Sequence, residues 1–238
     1  MEPLTNKVAY ITGGSKGIGY GIAEIMLAQG MRVAISSRSE TRAAEAARRL
    51  DASGHQVLAI GSDVRNLDDE KRAVQQILAR WGQLDVLIAN AGIGKFAPIQ
   101  EMSPEDWQDV IDINLTGVFN SVKAGVPALT DSKGYLITIA SLAGTNFFAG
   151  GAAYNASKFG LVGFTQAVML DLRHAGVKTT TIMPGSVATY FNDRVPSEAD
   201  AWKIQPEDIG QMVVDLLKMH PRTLPSKIEV RPSMPPKK

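Results

Sequence analysis

Cysteine is absent from the 238 residues, which excludes disulfides, thiol nucleophiles and thiolate metal sites. The absence fits a reducing cytoplasm, the location expected for this chain. Histidine is scarce too. His55, His174 and His220 stand far apart with no partner at ligand spacing, so no metal site is expected and all three read as surface residues. Neither sign of charge dominates: Lys and Arg number 25 against 24 Asp and Glu, and no basic run precedes the last few residues. Nucleic acid and anionic membranes are therefore not expected partners. No apolar run approaches the ~18 residues of a membrane span, and the opening MEPLTNK reads as neither signal nor transit peptide. A soluble intracellular protein is expected.

What is present is alternation. With 45% apolar residues the chain can bury a sizeable core, and its length suits one large α/β domain. Short, nearly continuous apolar runs predict strands at 8–12, 32–36, 56–60, 84–89, 134–140, 178–183 and 227–230, each covered on both faces. Longer amphipathic stretches predict helices at 18–29, 40–53, 68–81, 104–126, 152–175 and 206–219, with Ser103-Pro104 as a start signal and Gly30 and Gly176 as stops. The expectation is α/β, a single domain over 1–238 built on a doubly wound parallel sheet of about seven strands with helices on both faces. Residues 231–238 read as a loose tail or an edge trim. Arg42 to Leu50 reads as a solvated helix face with charge pairs, and Met169, Met183 and Met212 read as core filler.

Between the first strand and helix lies Thr12-Gly13-Gly14-Ser15-Lys16-Gly17-Ile18-Gly19. Glycines there let the backbone approach a pyrophosphate, while the helix N-terminus supplies N–H donors and positive dipole. The spacing is not G-x-G-x-x-G, because position 22 is Ile, and the loop lacks the Gly-Lys-Ser/Thr of a triphosphatase. A tight strand–helix turn is the plainer alternative. In such units an acid about 20 residues past the glycines commonly receives the NAD ribose 2′-hydroxyl. Here the second strand ends in Ser36, Ser37 and Arg38 instead.

The second cluster is Ser141, Tyr154 and Lys158. Tyr154 and Lys158 are four apart, so they share one helix face, and Ser141 ends a strand at the carboxyl edge where open α/β sheets bind ligands. Tyrosine, lysine and serine converging there point to proton transfer at a carbonyl oxygen, with an ammonium tuning the phenol from its ordinary pKa near ~10. In isolation Tyr-x-x-x-Lys is a common helical pair.

With these motifs in order, together with Asp63-Val64, Asn90-Ala91-Gly92, Asn114 and Pro184-Gly185 with Val187 and Thr189, the chain resembles the short-chain dehydrogenase/reductase family over nearly its whole length. It looks closest to the compact single-domain branch that includes 3-oxoacyl-[acyl-carrier-protein] reductases. The resemblance implies a Rossmann fold and a set of roles. Tyr154 would be general acid in reduction and base in oxidation. Ser141 would hydrogen-bond the substrate oxygen, and Lys158 would hold the nicotinamide ribose and lower the pKa of Tyr154. Asn114 would position a water linking Lys158 to solvent. Gly13, Ser15, Lys16, Gly17, Ile18 and Gly19 would line the pyrophosphate. Asp63 would accept from the adenine amino group with Val64 beside it, and Asn90, Ala91 and Gly92 would lie along the cofactor. Pro184, Gly185, Val187 and Thr189 would bind the carboxamide and phosphate. Structural alternatives stand beside two of these: Asn114 as a bridge between backbone segments, and Asp63 as a cap on the loop after its strand. One departure is Ala89, where many relatives carry a second Asn.

Ser37 in place of an acid removes a charge that would repel a 2′-phosphate, while Arg38 and Lys16 offer a guanidinium and an ammonium to hold one. NADP(H) is therefore expected over NAD(H); Glu40, three residues late, belongs to the next helix's first turn. The expected reaction is reduction of a ketone, an aldehyde or a 3-oxoacyl thioester to the alcohol. The alternative is a catalytically idle dinucleotide-binding sensor or scaffold. Residues 93–98, 142–148 and 190–202 are the candidate substrate pocket, with Phe147, Phe148, Tyr190, Phe191 and Trp202 making an apolar rim. The resemblance also implies a homotetramer or dimer through helices 104–126 and 152–175.

Overall fold

The computed structural model describes residues 3–236, the Asp193 side chain excepted. The last two residues of the expected tail, 237–238, lie outside the described residues. Seven strands are bounded by β1 Val8–Ile11, β2 Arg32–Ser37, β3 Val57–Gly61, β4 Val86–Ala89, β5 Tyr135–Ile139, β6 Lys178–Pro184 and β7 Lys227–Val230. All pair in parallel, in the order β3-β2-β1-β4-β5-β6-β7. Parallel strands need crossovers, and each right-handed βαβ connection lays a helix on a face of the sheet. Helices α1 Gly17–Ala28, α2 Glu40–Leu50 and α7 Pro206–Lys218 follow β1, β2 and β6, and helices α3 Leu67–Trp81, α4 Pro104–Ile111, α5 Gly117–Ser132 and α6 Ala152–Leu172 follow β3, β4 and β5. One core joins Ile22, Met26, Ala46, Ile209 and Val213 to one sheet face, and a second joins Val74, Ile77, Val122, Leu129 and Leu161 to the other. The doubly wound α/β fold expected from the alternation is therefore the one observed. Its strand order reverses between β1 and β4, and open sheets of this kind bind ligands at the carboxyl ends beside such a reversal.

The departures have local causes. The expected helix 104–126 is instead two helices joined by a π-helical turn, Asp112–Thr116, across which the Gly117 N–H bonds the Asp112 carbonyl. Helix α5 then runs through Pro127 to Ser132, because Pro127 faces solvent while Ala128 and Leu129 are buried; a proline on the exposed side costs one ladder bond but no packing. Helix α2 stops at Leu50, where the Asp51 carboxylate takes the N–H groups of Ser53 and Gln56 and turns the chain. A bond from the Ser53 hydroxyl, with those N–H bonds, holds the Asp51 carboxyl down at about 2. Within α2 the expected charge pairs are absent among the described ion pairs; Arg49 lies instead over the Tyr20 ring at 5.5 Å. Met183 is buried and Met212 packs on the core, but Met169 is only half-buried. All three histidines are exposed. No helix among the described residues is long and apolar enough to cross a membrane.

Beneath the β2 and β3 ends sits a buried acid. Glu70 of α3 accepts at Oε1 from Tyr10 (3.0 Å) and Ser62 (2.6 Å), and its other oxygen, also buried, has no partner. Burial pushes the Glu70 carboxyl up, partly offset by the bonds from Ser62 and Tyr10. A raised folded-state pKa places the stabilising contribution below the ordinary carboxylate range and removes it as pH rises through the shifted value. Glu70→Gln keeps the acceptor and cannot ionise. Its unfolding free energy in urea should fall within about 1 kcal/mol of wild type at pH 5 and gain on it by pH 8, whereas Glu70→Ala should cost about 2–4 kcal/mol throughout. Parallel pH dependences of wild type and the Gln variant would contradict the assignment.

Candidate active site

The loop after β1 and the loop after β4 are stitched together. Asn90 and Ala91 donate their N–H groups to Thr12 Oγ1 (3.0 and 3.1 Å), and Asn90 Nδ2 donates to the Thr12 and Gly13 carbonyls (2.8 and 3.3 Å). A Cβ on Gly19 would stand 2.6 Å from Asn90 Nδ2, and one on Gly13, which has φ +64°, would stand 3.0 Å from Ala91 Cα. The glycines at 13 and 19 are therefore demanded by this approach of the two loops, a cause additional to the ligand approach and the tight turn that the sequence offers. Gly14 N–H bonds the Ser36 carbonyl at 3.0 Å, fastening the loop to the end of β2 beside Ser37 and Arg38. Gly17 has φ +59° and faces Thr189 across the cleft.

Helix α1 begins at this loop with no side-chain cap and no acid in its first turn; its N-cap is Lys16. Helices α2, α3, α4 and α7 all have a capping side chain and acids in the first turn. Uncapped N–H donors with positive dipole, behind a glycine loop and beside exposed Lys16 and Arg38, fit the pyrophosphate and phosphate of a dinucleotide. Glu40 is the first residue of α2, capped by Ser39, and its Cβ lies 3.1 Å from where a Gly61 Cβ would be. It sits in the first turn, as the sequence suggested.

Asp63 departs from the simplest expectation. Arg65 grips its carboxylate with Nη2 at 2.6 Å and Nε at 3.0 Å, and Arg65 also reaches Asp109 at 3.8 Å. The Arg65 bonds hold the Asp63 carboxyl below its usual range, with a smaller contribution from Arg38. Val64 is buried against Gly117, and its carbonyl accepts from Asn120 Nδ2 at 2.9 Å.

At the other end of the cleft Asn114 is fully buried in the π-helical turn. Its Oδ1 accepts from Ile93 N–H (2.8 Å), and its Nδ2 donates to the Ile93 carbonyl (2.9 Å) and to Ser157 Oγ (3.1 Å). Ser157 in turn donates to the Tyr154 carbonyl at 2.8 Å. The bridging alternative thus describes the Asn114 side chain, and a water relay to Lys158 would have to be held by its main chain. Such a π-helical turn inside a helix is rare and is frequently found at functional sites. Ser157 and Asn155, which ties the Ala143 and Asn146 carbonyls at 2.8 Å each, were not singled out from sequence, although both stand inside Tyr154-Asn155-Ala156-Ser157-Lys158.

Ser141 accepts from Ala143 N–H at 3.1 Å beyond the end of β5. Lys158 is buried, donates to the Ile139 carbonyl at 3.1 Å, and lies 5.7 Å from the Tyr154 ring centre. Burial brings the Lys158 ammonium down to about 8 and pushes the Tyr154 phenol up, with Ser141 pulling the phenol the other way. Lys158, expected to lower it, is not among the causes acting on the phenol, which with its pKa raised keeps its proton near neutrality. Pro184, Gly185, Val187 and Thr189 line a cavity of about 370 Å³ with Ile18, Phe96, Phe191 and Trp202. Of the expected pocket, residues 142–148 contribute no lining, although Phe148 packs against Phe96. Among the described residues no group of acids and histidines is placed to hold a metal.

A nitrogen-detected NMR titration of the lysine ammonium groups should show Lys158 with a midpoint near 8, and the signal should vanish in Lys158→Met. A midpoint near the ordinary ~10.4 would contradict the burial that this geometry imposes.

With that geometry in place, comparisons with known proteins are informative. A family model described as short chain dehydrogenase matches residues 7–200. A 3-oxoacyl-[acyl-carrier-protein] reductase of Synechocystis is 37% identical over 200 residues, covering 83% of this chain and 81% of that protein. An alcohol dehydrogenase from the archaeon Thermococcus sibiricus, complexed with 5-hydroxy-NADP, superposes with a TM-score of 0.90 at 28% identity over 98% of this chain and 99% of that one. A 3-ketoacyl-(acyl-carrier-protein) reductase from Brucella melitensis, complexed with NADH, gives 0.86 at 24% identity over 97% and 98%, which speaks to the fold alone. The chain belongs to the short-chain dehydrogenase family, a family of oxidoreductases whose fold binds a nicotinamide dinucleotide.

Proposed function

We propose that the protein is an NADP(H)-dependent reductase that converts a ketone, an aldehyde or a 3-oxoacyl thioester to its alcohol. The observation that carries this reading is the set of half-buried Ser141 and Tyr154 with buried Lys158 at the carboxyl edge of the sheet, its phenol kept protonated. A pure binder has no evident need for a positioned phenol. Gly13, Ser15, Gly17, Ile18 and Gly19 would hold the pyrophosphate, Asp63 and Val64 the adenine, Asn90, Ala91 and Gly92 the length of the cofactor, and Pro184, Gly185, Val187 and Thr189 the nicotinamide end. When bound, the reduced nicotinamide supplies a hydride to the carbonyl carbon. Tyr154 holds the proton that the carbonyl oxygen takes up as the alcohol forms, and Ser141 Oγ steadies that oxygen. Lys158, with one hydrogen on the Ile139 carbonyl, has two left to bind a ribose and to offset the charge on the phenolate. Asn114 acts by holding Ile93 and Ser157, and so the backbone under Tyr154.

Lys16 and Arg38 support NADP(H), because they are exposed where a 2′-phosphate would lie and no acid occupies the end of β2. The reading extends to a single dinucleotide-binding domain in the cytoplasm. A second copy would pack on α5 and α6, where Phe119, Phe159 and Leu170 are exposed. Kinetics with both cofactors test the assignment. NADPH should exceed NADH in kcat/KM by about 10-fold or more, and Arg38→Ala should lose about 10–100-fold with NADPH, the worth of a charge-assisted phosphate contact. A wild type that prefers NADH would sink it.

A further inference from the structure

Three of the chain's seven phenylalanines come from three separate loops and converge on Tyr154. Phe96, after β4, meets the Tyr154 ring edge-on with centroids 5.4 Å apart and planes at 69°. Phe191, after β6, lies 5.8 Å from the same ring, and Phe148, before α6, lies 5.8 Å from Phe96. Gly94 makes the convergence possible. A Cβ there would stand 2.7 Å from both Phe191 Cζ and Phe96 Cζ, so the two rings close over bare backbone.

This wall does not complete the core. Phe96 and Phe191, which line the 370 Å³ cavity, remain 41% and 37% exposed, and Phe148 beside Phe96 remains 48% exposed. Contiguous apolar surface left in water beside a cavity marks a binding face for an apolar ligand. The rings around Tyr154 sit too close together to admit a group between them. A substrate whose oxygen reaches the phenol must therefore lay its own substituent against the exposed faces of Phe96 and Phe191, the part of the lining not assigned to the nicotinamide. Flat rings satisfy such a face through offset or edge contacts that a short straight chain does not make. Two cations also line the cavity: Lys203 is tied to Asp200 and lies 5.7 Å from the Trp202 ring, and Arg194 acts on Asp200 more weakly. The Phe96 and Phe191 part of the lining offers apolar ring surface.

We infer that the site selects carbonyl compounds bearing a planar apolar ring beside the carbonyl, aryl ketones and aryl diketones, over short straight-chain 3-oxoacyl thioesters. Phe96 and Phe191 are the specificity-determining side chains, and Gly94 is the position that lets them close. The inference rests on the carbonyl-reductase reading above and narrows its substrate.

The experiment compares NADPH oxidation with 1-phenyl-1,2-propanedione and with the acetoacetyl thioester of N-acetylcysteamine. Wild type should favour the phenyl substrate by about 10-fold or more in kcat/KM, mainly through KM. Phe96→Ala and Phe191→Ala should bring that ratio close to one. Phe96→Leu and Phe191→Leu keep apolar volume without a ring face, and should lower the ratio even if the alanine variants fail to fold. Gly94→Ala should raise KM for the phenyl substrate by displacing both rings. Calorimetric binding of acetophenone to the NADP⁺-saturated protein gives a readout without turnover, and should weaken in the same variants. Preference for the thioester, or variants that depress both substrates equally, overturns the inference while leaving a reductase. Oxidation of NADPH by neither substrate, with NADPH bound, counts against the reductase reading; acetophenone binding that the Phe variants abolish would then still uphold the aromatic face.

Discussion

Four hydrogen bonds between Thr12, Gly13, Asn90 and Ala91 close the gap at the point where the sheet's strand order reverses. Both sides of the site depend on that clasp. On one side it sets the glycine loop and the bare N-terminus of α1, so that donors and dipole face the cleft. On the other it fixes the start of the chain that runs through Gly92 to Ile93, which Asn114 then grips and passes through Ser157 to the backbone of Tyr154. The proposed proton donor and the proposed dinucleotide cradle are thereby referred to one feature, which is what orientation-dependent chemistry requires.

Burial is the second organising effect, and it acts on every titratable group that matters. It holds the Tyr154 phenol protonated, brings the Lys158 ammonium down to about 8, and raises the Glu70 carboxyl beside Tyr10 and Ser62. A protonated phenol beside a cation that still has free donors suits delivery of a proton to a carbonyl oxygen. Glu70 does different work: through Tyr10 and Ser62 it ties β1 and the end of β3 to α3, and the residues after β3 include Asp63 and Val64.

The architecture was legible in the sequence because parallel strands covered on both faces are nearly continuous in apolar residues, and all seven stand where that pattern put them, within two residues. The helix ends were less legible. Nothing in the spacing of Asp112–Thr116 announces a π turn, since its cause is a contact from Asn114 to Ile93, 21 residues away. Pro127 argued for a helix end, and burial of Ala128 and Leu129 overrode it. The same limit applies to the site. Ser141, Tyr154 and Lys158 could be named from residue type and spacing, but Thr12, Asn155 and Ser157 work only through long-range hydrogen bonds. The Arg65 grip on Asp63 joins residues two apart, and the turn that brings it about is local yet has no distinctive composition.

The most direct test of the account is turnover and NADPH affinity in Tyr154→Phe, which removes one hydroxyl and leaves the ring and its neighbours in place. Steady-state NADPH oxidation should fall by about 10²–10⁴-fold, the usual worth of a positioned general acid. The dissociation constant for NADPH, read by fluorescence titration, should stay within about threefold of wild type, as expected when binding rests on the glycine loop, Lys16 and Arg38. Turnover within tenfold of wild type would contradict Tyr154 as the proton donor, and with it the claim that this half-buried phenol is what the fold is arranged to present.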